Sequence, residues 1–170
     1  MKSLKLKMIS ALSTGLLALT MGSGEVLAED GKTYPASFCQ QANHLFAQFP
    51  YSVNAGEWIN DDNFTTVIQC PIIKDSIGQG LKKGFVRVLD RNPSSDVRCT
   101  LISRRTHVHP DQGFTINVRS SGSSSFVQTL NFGAIGHNGS NTTYNLSCSV
   151  PGKANGLNSK IMGYYIEENS

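Results

Sequence analysis

Helical periodicity is scarce in these 170 residues, and its scarcity argues against parallel α/β folds, whose strand-to-strand crossovers need helices. The chain has no Cys-x-x-Cys pair. Its cysteines, Cys39, Cys70, Cys99 and Cys148, stand 31, 29 and 49 residues apart, which argues against a zinc–thiolate site. The serine run at 120–125 lacks the Gly-x-Ser-x-Gly elbow of the α/β-hydrolases. Beyond the N-terminus, no apolar stretch approaches the ~20 residues of a membrane-spanning helix. Net charge is also low. Of 15 Lys and Arg and 12 Asp and Glu, the first 28 residues hold three Lys and one Glu, leaving 12 and 11 for the rest. That near-neutral balance gives no general pull toward nucleic acid.

The N-terminus reads as a secretory signal peptide over residues 1–28. Lys2, Lys5 and Lys7 precede an uncharged apolar run from Met8 to about Thr20, and Val26-Leu27-Ala28 stands directly before Glu29-Asp30. Residues 29–170 then form one domain of ordinary size with no transmembrane segment. The expected location is secreted or periplasmic. An even number of cysteines in an exported chain points to two disulfides.

Across residues 29–170 the recurring period is two, the signal of strands. Strands are expected at 57–60, 64–70, 85–90, 97–102, 114–119, 126–132, 143–150 and 160–167, with turn residues between them. Residues 36–48 are the best helical segment, worth one or two turns. About eight strands with short connections imply an all-β antiparallel sandwich or jelly-roll-like barrel. Val97, Cys99 and Leu101 share one strand face, as do Leu146, Cys148 and Val150. If both faces look into one core, Cys99 pairs with Cys148 across it and Cys39 with Cys70.

Several residues carry candidate chemistry. In an extended strand His107 and His109 point the same way and could share a metal, with Asp111, His44 or His137 as a third ligand; Pro110-Asp111-Gln112-Gly113 reads equally as a turn. All six arginines fall between Arg87 and Arg119. Arg87 and Arg98 are expected on neighbouring strands with a common exposed face. With Arg104 and Arg105 they could bind sulfate, phosphate or carboxylate groups, although ordinary pairing with nearby Asp is the simpler use. Trp58 is a candidate sugar platform, with Tyr34, Tyr51, Tyr164 and Tyr165 behind it, whereas Tyr144 reads as core. Asn63, Asn138, Asn141 and Asn145 head N-glycosylation patterns, which matter only in a eukaryotic secretory pathway.

Cys70-Pro71-Ile72, Val86-Arg87-Val88-Leu89-Asp90, Val97-Arg98-Cys99, the stretch from Tyr144 to Pro151 and Gly163-Tyr164-Tyr165-Ile166-Glu167 resemble the pattern of small exported bacterial β-rich proteins of uncharacterised function. The resemblance covers the C-terminal two-thirds of the chain. It implies a β fold and carries over no activity and no site.

Two functional classes follow. The leading one is an exported, non-catalytic binding or surface-interaction module for glycans or anionic polymers, needing no cofactor and binding no nucleic acid. The alternative is a small secreted hydrolase, metal-dependent through His107 and His109.

Overall fold

Alternating side chains become the two faces of a β-sandwich. The computed structural model describes residues 31–42, 50–75, 79–105, 113–136 and 141–169. Among them run eleven strands: β1 (Gly31–Pro35), β2 (Gln40–Gln41), β3 (Tyr51–Asn54), β4 (Glu57–Asn60), β5 (Thr66–Pro71), β6 (Leu81–Leu89), β7 (Arg98–Arg105), β8 (Gly113–Arg119), β9 (Gln128–Phe132), β10 (Thr142–Val150) and β11 (Lys160–Glu168). The first sheet is ordered β3-β4-β11-β6-β9, with β1 also paired to β11; the second is ordered β2-β5-β10-β7-β8. All pairings are antiparallel.

β10 shows how the pattern works. Thr142, Tyr144, Leu146, Cys148 and Val150 are buried, while the residues between them look outward. Ile68 and Cys70 of β5 and Cys99 and Leu101 of β7 join the same inner face, and Trp58, Val86, Val88, Leu130, Ile161 and Tyr164 meet them from the first sheet in one core. Full burial of each large apolar side chain contributes roughly 1.5–3 kcal/mol.

All eight expected strands are present, and three more accompany them. β1 carries Gly31 and Pro35, β2 is two residues long, and every residue of β3 is exposed, so none shows alternation. β3 and β4 form a hairpin closed by Ala55 and Gly56, both at positive φ (49° and 85°). That is the arrangement of a type I′ turn, and glycine suits its second position. The helix expected over 36–48 is corrected where it is described. Ala36–Phe38 make a single 3-10 turn, after which Gln40 and Gln41 pair with β5. Ladder bonds to a sheet edge and the Cys39 crosslink outweigh weak helical periodicity.

The disulfides are Cys39–Cys70 and Cys99–Cys148, each with Cα atoms 4.1 Å apart. The connectivity is as expected, but Cys99 and Cys148 are direct cross-strand partners. Their bridge therefore lies within the second sheet and does not span the core.

Charge is arranged differently on the two sheets. Glu167, at the end of β11, is buried and ion-paired to Lys82 and Lys83 at 2.7 Å each; hydrogen bonds from those two lysines hold its carboxyl down at about 2. Glu168 pairs with Lys32 at 2.8 Å and Glu57 with Lys160 at 2.6 Å. The strands of the second sheet contain no Asp or Glu, and they hold Arg98, Arg104, Arg105 and Arg119.

Residues 1–28, His44, His107, His109, His137 and Asp111 lie outside the described residues. Among the described residues no helix is long and apolar enough to cross a membrane.

Candidate binding face of the second sheet

Strand register sets the outer face of the second sheet. Gln40 stands opposite Gln69, Gln69 opposite Ser147, Ser147 opposite Thr100, and Thr100 opposite Asn117. One neutral polar side chain from each of five strands therefore forms a single row. Four strand spacings make that row about 19 Å long. Thr100 Oγ1 donates to Asn117 Oδ1 at 2.7 Å, which orients the last carboxamide.

The rows on either side differ in chemistry. Toward one end of the sheet, Pro71, Asn145, Ile102 and Thr115 are aligned; toward the other, Val67, Ser149, Arg98 and Arg119. Beyond the first of these rows Thr143 stands opposite Arg104.

The face is hollowed. A groove of about 720 Å³ follows β2, β5 and β10, touching Gln40, Gln69, Thr143 and Asn145 of the outer face and also Gln41, Cys70 and Tyr144, whose side chains are buried. A smaller hollow of about 200 Å³ shares Gln69, Thr143 and Asn145 with it and reaches Ile102 and Arg104 on β7. Together they cross most of the sheet. A third depression of about 420 Å³ is lined by Arg98 and Arg119 with Cys99, Thr100, Asn117 and Val118. No carboxylate lines these three among the described residues.

At the mouth of the groove Phe38 is 54% exposed, an apolar ring beside the carboxamides. Lys74 Nζ lies 5.6 Å from the centre of the Tyr144 ring. Burial raises the Tyr144 phenol above its ordinary value of 10.0, so it stays neutral. Lys74 Nζ and Asn145 Oδ1 have no hydrogen-bond partner among the described residues.

The site residues expected from sequence are redistributed. Arg98 and Arg104 both project from β7 on this face, and Arg105 ends the same strand. The adjacency expected of Arg87 and Arg98 is corrected: Arg87 belongs to β6 in the first sheet and Arg98 to β7 in the second. The cause is chain topology, because β6 leads into β7 by crossing from one sheet to the other. Trp58 as a sugar platform is also corrected. It is fully buried, stacked on Tyr51 at 5.5 Å, because its strand turns it inward against Ile161. Tyr34 and Tyr164 are buried and stacked on one another at 4.9 Å. Among the described residues no three His, Cys, Asp or Glu side chains gather to hold a metal ion.

Gln40, Gln69, Thr100, Asn117 and Ser147 escaped the sequence reading. Apart from Gln40, each is a polar residue interleaved with buried ones or, for Asn117, with the half-buried Ile116 and Val118. That alternation is legible, but the alignment of these residues follows from strand order.

No family model matches the chain, and no curated protein matches it. Among solved structures it is similar to a Podospora anserina GH26-CBM35 β-(1,4)-mannanase, at 15% identity and a TM-score of 0.46, covering 84% of this chain and 28% of that one. It is also similar to CBM86, a low-affinity xylan-binding module from the gut symbiont Roseburia intestinalis, at 10% identity and a TM-score of 0.42, covering 82% of this chain and 96% of that one. The chain thus spans little more than a quarter of the mannanase.

Proposed function

We propose that this protein is an exported, non-catalytic binding module that holds an extended glycan on the outer face of its second sheet. The carrying observation is the five-strand row Gln40–Gln69–Ser147–Thr100–Asn117. A glycan chain presents repeated pairs of hydroxyls, each both donor and acceptor. Planar carboxamides offer a donor and an acceptor side by side and match such pairs, while serine and threonine hydroxyls adapt by rotation. Phe38, exposed beside the groove, supplies an apolar ring face for the C–H surface of a sugar.

The leader-like pattern of residues 1–28 and the two disulfides support export into an oxidising compartment. Binding is favoured over hydrolysis because most glycosidases need two facing carboxylates, and the groove's described lining supplies none. The metal-dependent alternative through His107 and His109 falls on residues outside those described.

Affinity electrophoresis in neutral polysaccharide gels (mannan, xylan, β-glucan) tests this reading. Retardation by at least one polymer is expected. Gln69→Ala with Asn145→Ala should weaken it about tenfold or more, the worth of two or three net hydrogen bonds. Thr129→Ala with Asn131→Ala, exposed on β9 of the other sheet, should leave it unchanged. Undiminished retardation of the Gln69/Asn145 variant would refute this site.

A further inference from the structure

We propose that the glycan held by this face is anionic, with a carboxylate or sulfate group gripped between Arg98 and Arg119. The inference rests on the glycan-binding reading above and names its ligand class.

Arg98 and Arg119 are direct cross-strand partners on β7 and β8. Like charges directly opposite each other destabilise a sheet, and this pair stands on an outer face. Among the described residues Asp96 is ion-paired with Arg119, at 3.9 Å, and not with Arg98, and the Arg119 side chain is 72% exposed. The 420 Å³ depression touches both arginines, together with Cys99, Val118, Thr100 and Asn117, the last two ending the polar row. Two guanidinium forks and a neighbouring hydroxyl and carboxamide are suited to a planar carboxylate or a sulfate. The first sheet, by contrast, satisfies Lys32, Lys82, Lys83 and Lys160 with its own carboxylates.

A third cation stands well away from this pair. Arg104 lies six residues further along β7, about 20 Å from Arg98 at the rise of a strand. Neutral Thr100 and Ile102 project between them. Charges so far apart lie on a line along β7, across the direction of the polar row, so a glycan on that row meets the Arg98–Arg119 pair at its end and not Arg104. Cations so sparse do not match a nucleic acid, whose phosphates recur every ~3.4 Å along a strand and call for denser cations.

The test measures binding of the full exported chain to polygalacturonate, dextran sulfate, neutral mannan and a duplex DNA, at low and physiological salt. Tighter binding to either anionic polysaccharide than to mannan is expected, and which one prevails identifies the carboxylate or the sulfate. Arg98→Gln with Arg119→Gln should lower that affinity about 10–100-fold and flatten its salt dependence. Its unfolding midpoint should not fall, because a repulsive pair has been removed. Arg98→Lys with Arg119→Lys should lose less. Unchanged polyanion affinity in the Arg98/Arg119 glutamine variant would overturn the proposal, as would DNA binding equal to that of the polysaccharides. Mannan binding that matches polyanion binding and is lost with Gln69 and Asn145 would overturn the anionic ligand alone and leave the glycan site standing.

Discussion

Replacing Cys99 and Cys148 together by alanine is expected to lower stability by about 4 kcal/mol, because the bridge closes a 49-residue loop in the unfolded chain. For a domain of this size that corresponds to a fall of roughly 10–20 °C in the unfolding midpoint. The position of the bridge increases its importance. β10 is the middle strand of the second sheet, and Cys148 ties it to β7 among fully buried neighbours, Leu101, Leu146 and Val150. The same change at Cys39 and Cys70, closing 31 residues at the sheet edge, should cost slightly less, about 3–4 kcal/mol. Thermal unfolding of both double variants, with and without reductant, checks the order. A Cys99/Cys148 variant within 1 kcal/mol of the parent would contradict it.

The second large effect belongs to Asp90, a fully buried carboxylate just after β6. Four donors converge on it. Oδ1 accepts from the Asn92 amide at 3.1 Å and Ser159 Oγ at 3.3 Å; Oδ2 accepts from the Val97 amide at 3.1 Å and Ser120 Oγ at 2.5 Å. Asp90 thus joins the crossing from β6 to β7 with the segments after β8 and before β11. Asp90→Ala strands these buried donors and should cost about 3–4 kcal/mol, the sum of lost charge-assisted bonds and unsatisfied polar groups. Asp90→Asn keeps the shape but turns one acceptor into a donor facing other donors, so it should recover only part of that. Urea unfolding of the two variants distinguishes the cases. A neutral Asp90→Ala would show that the loops hold without the carboxylate.

How far the sequence disclosed this molecule varies by level. The strands with strict alternation, such as β7 and β10, were legible because period two survives wherever one face is buried. The pairing of Cys99 with Cys148 followed from their register with apolar neighbours. Their placement in a single sheet did not, because β10 enters between β5 and β7 by long-range pairing that no local pattern records. The same limit governs the site. Arg98 was legible as an outward residue of the strand expected at 97–102, and the whole arginine window was visible, but Arg104 lies beyond that expected end and joins the face only because β7 runs on to Arg105. Arg87 was assigned to the face of Arg98 because β6 and β7 are adjacent in sequence, although the chain changes sheets between them. Trp58 drew attention as a lone aromatic, yet its strand buries it. Gln69, Thr100, Asn117 and Ser147 look individually like ordinary outward residues, and only the antiparallel registers align them into a row.

The central claim is that a glycan lies on the outer face of the second sheet. Titrating isotopically labelled protein with an oligosaccharide of the retained polymer, and following backbone and side-chain amide resonances by NMR, tests it most directly. The account predicts that the largest shifts fall on the side-chain amides of Gln40, Gln69, Asn117 and Asn145 and on the backbone of Thr100 and Ser147, with Thr129, Asn131 and Tyr165 of the first sheet unmoved. Shifts concentrated on those three residues, or on the loops at either end of the sandwich, would contradict it.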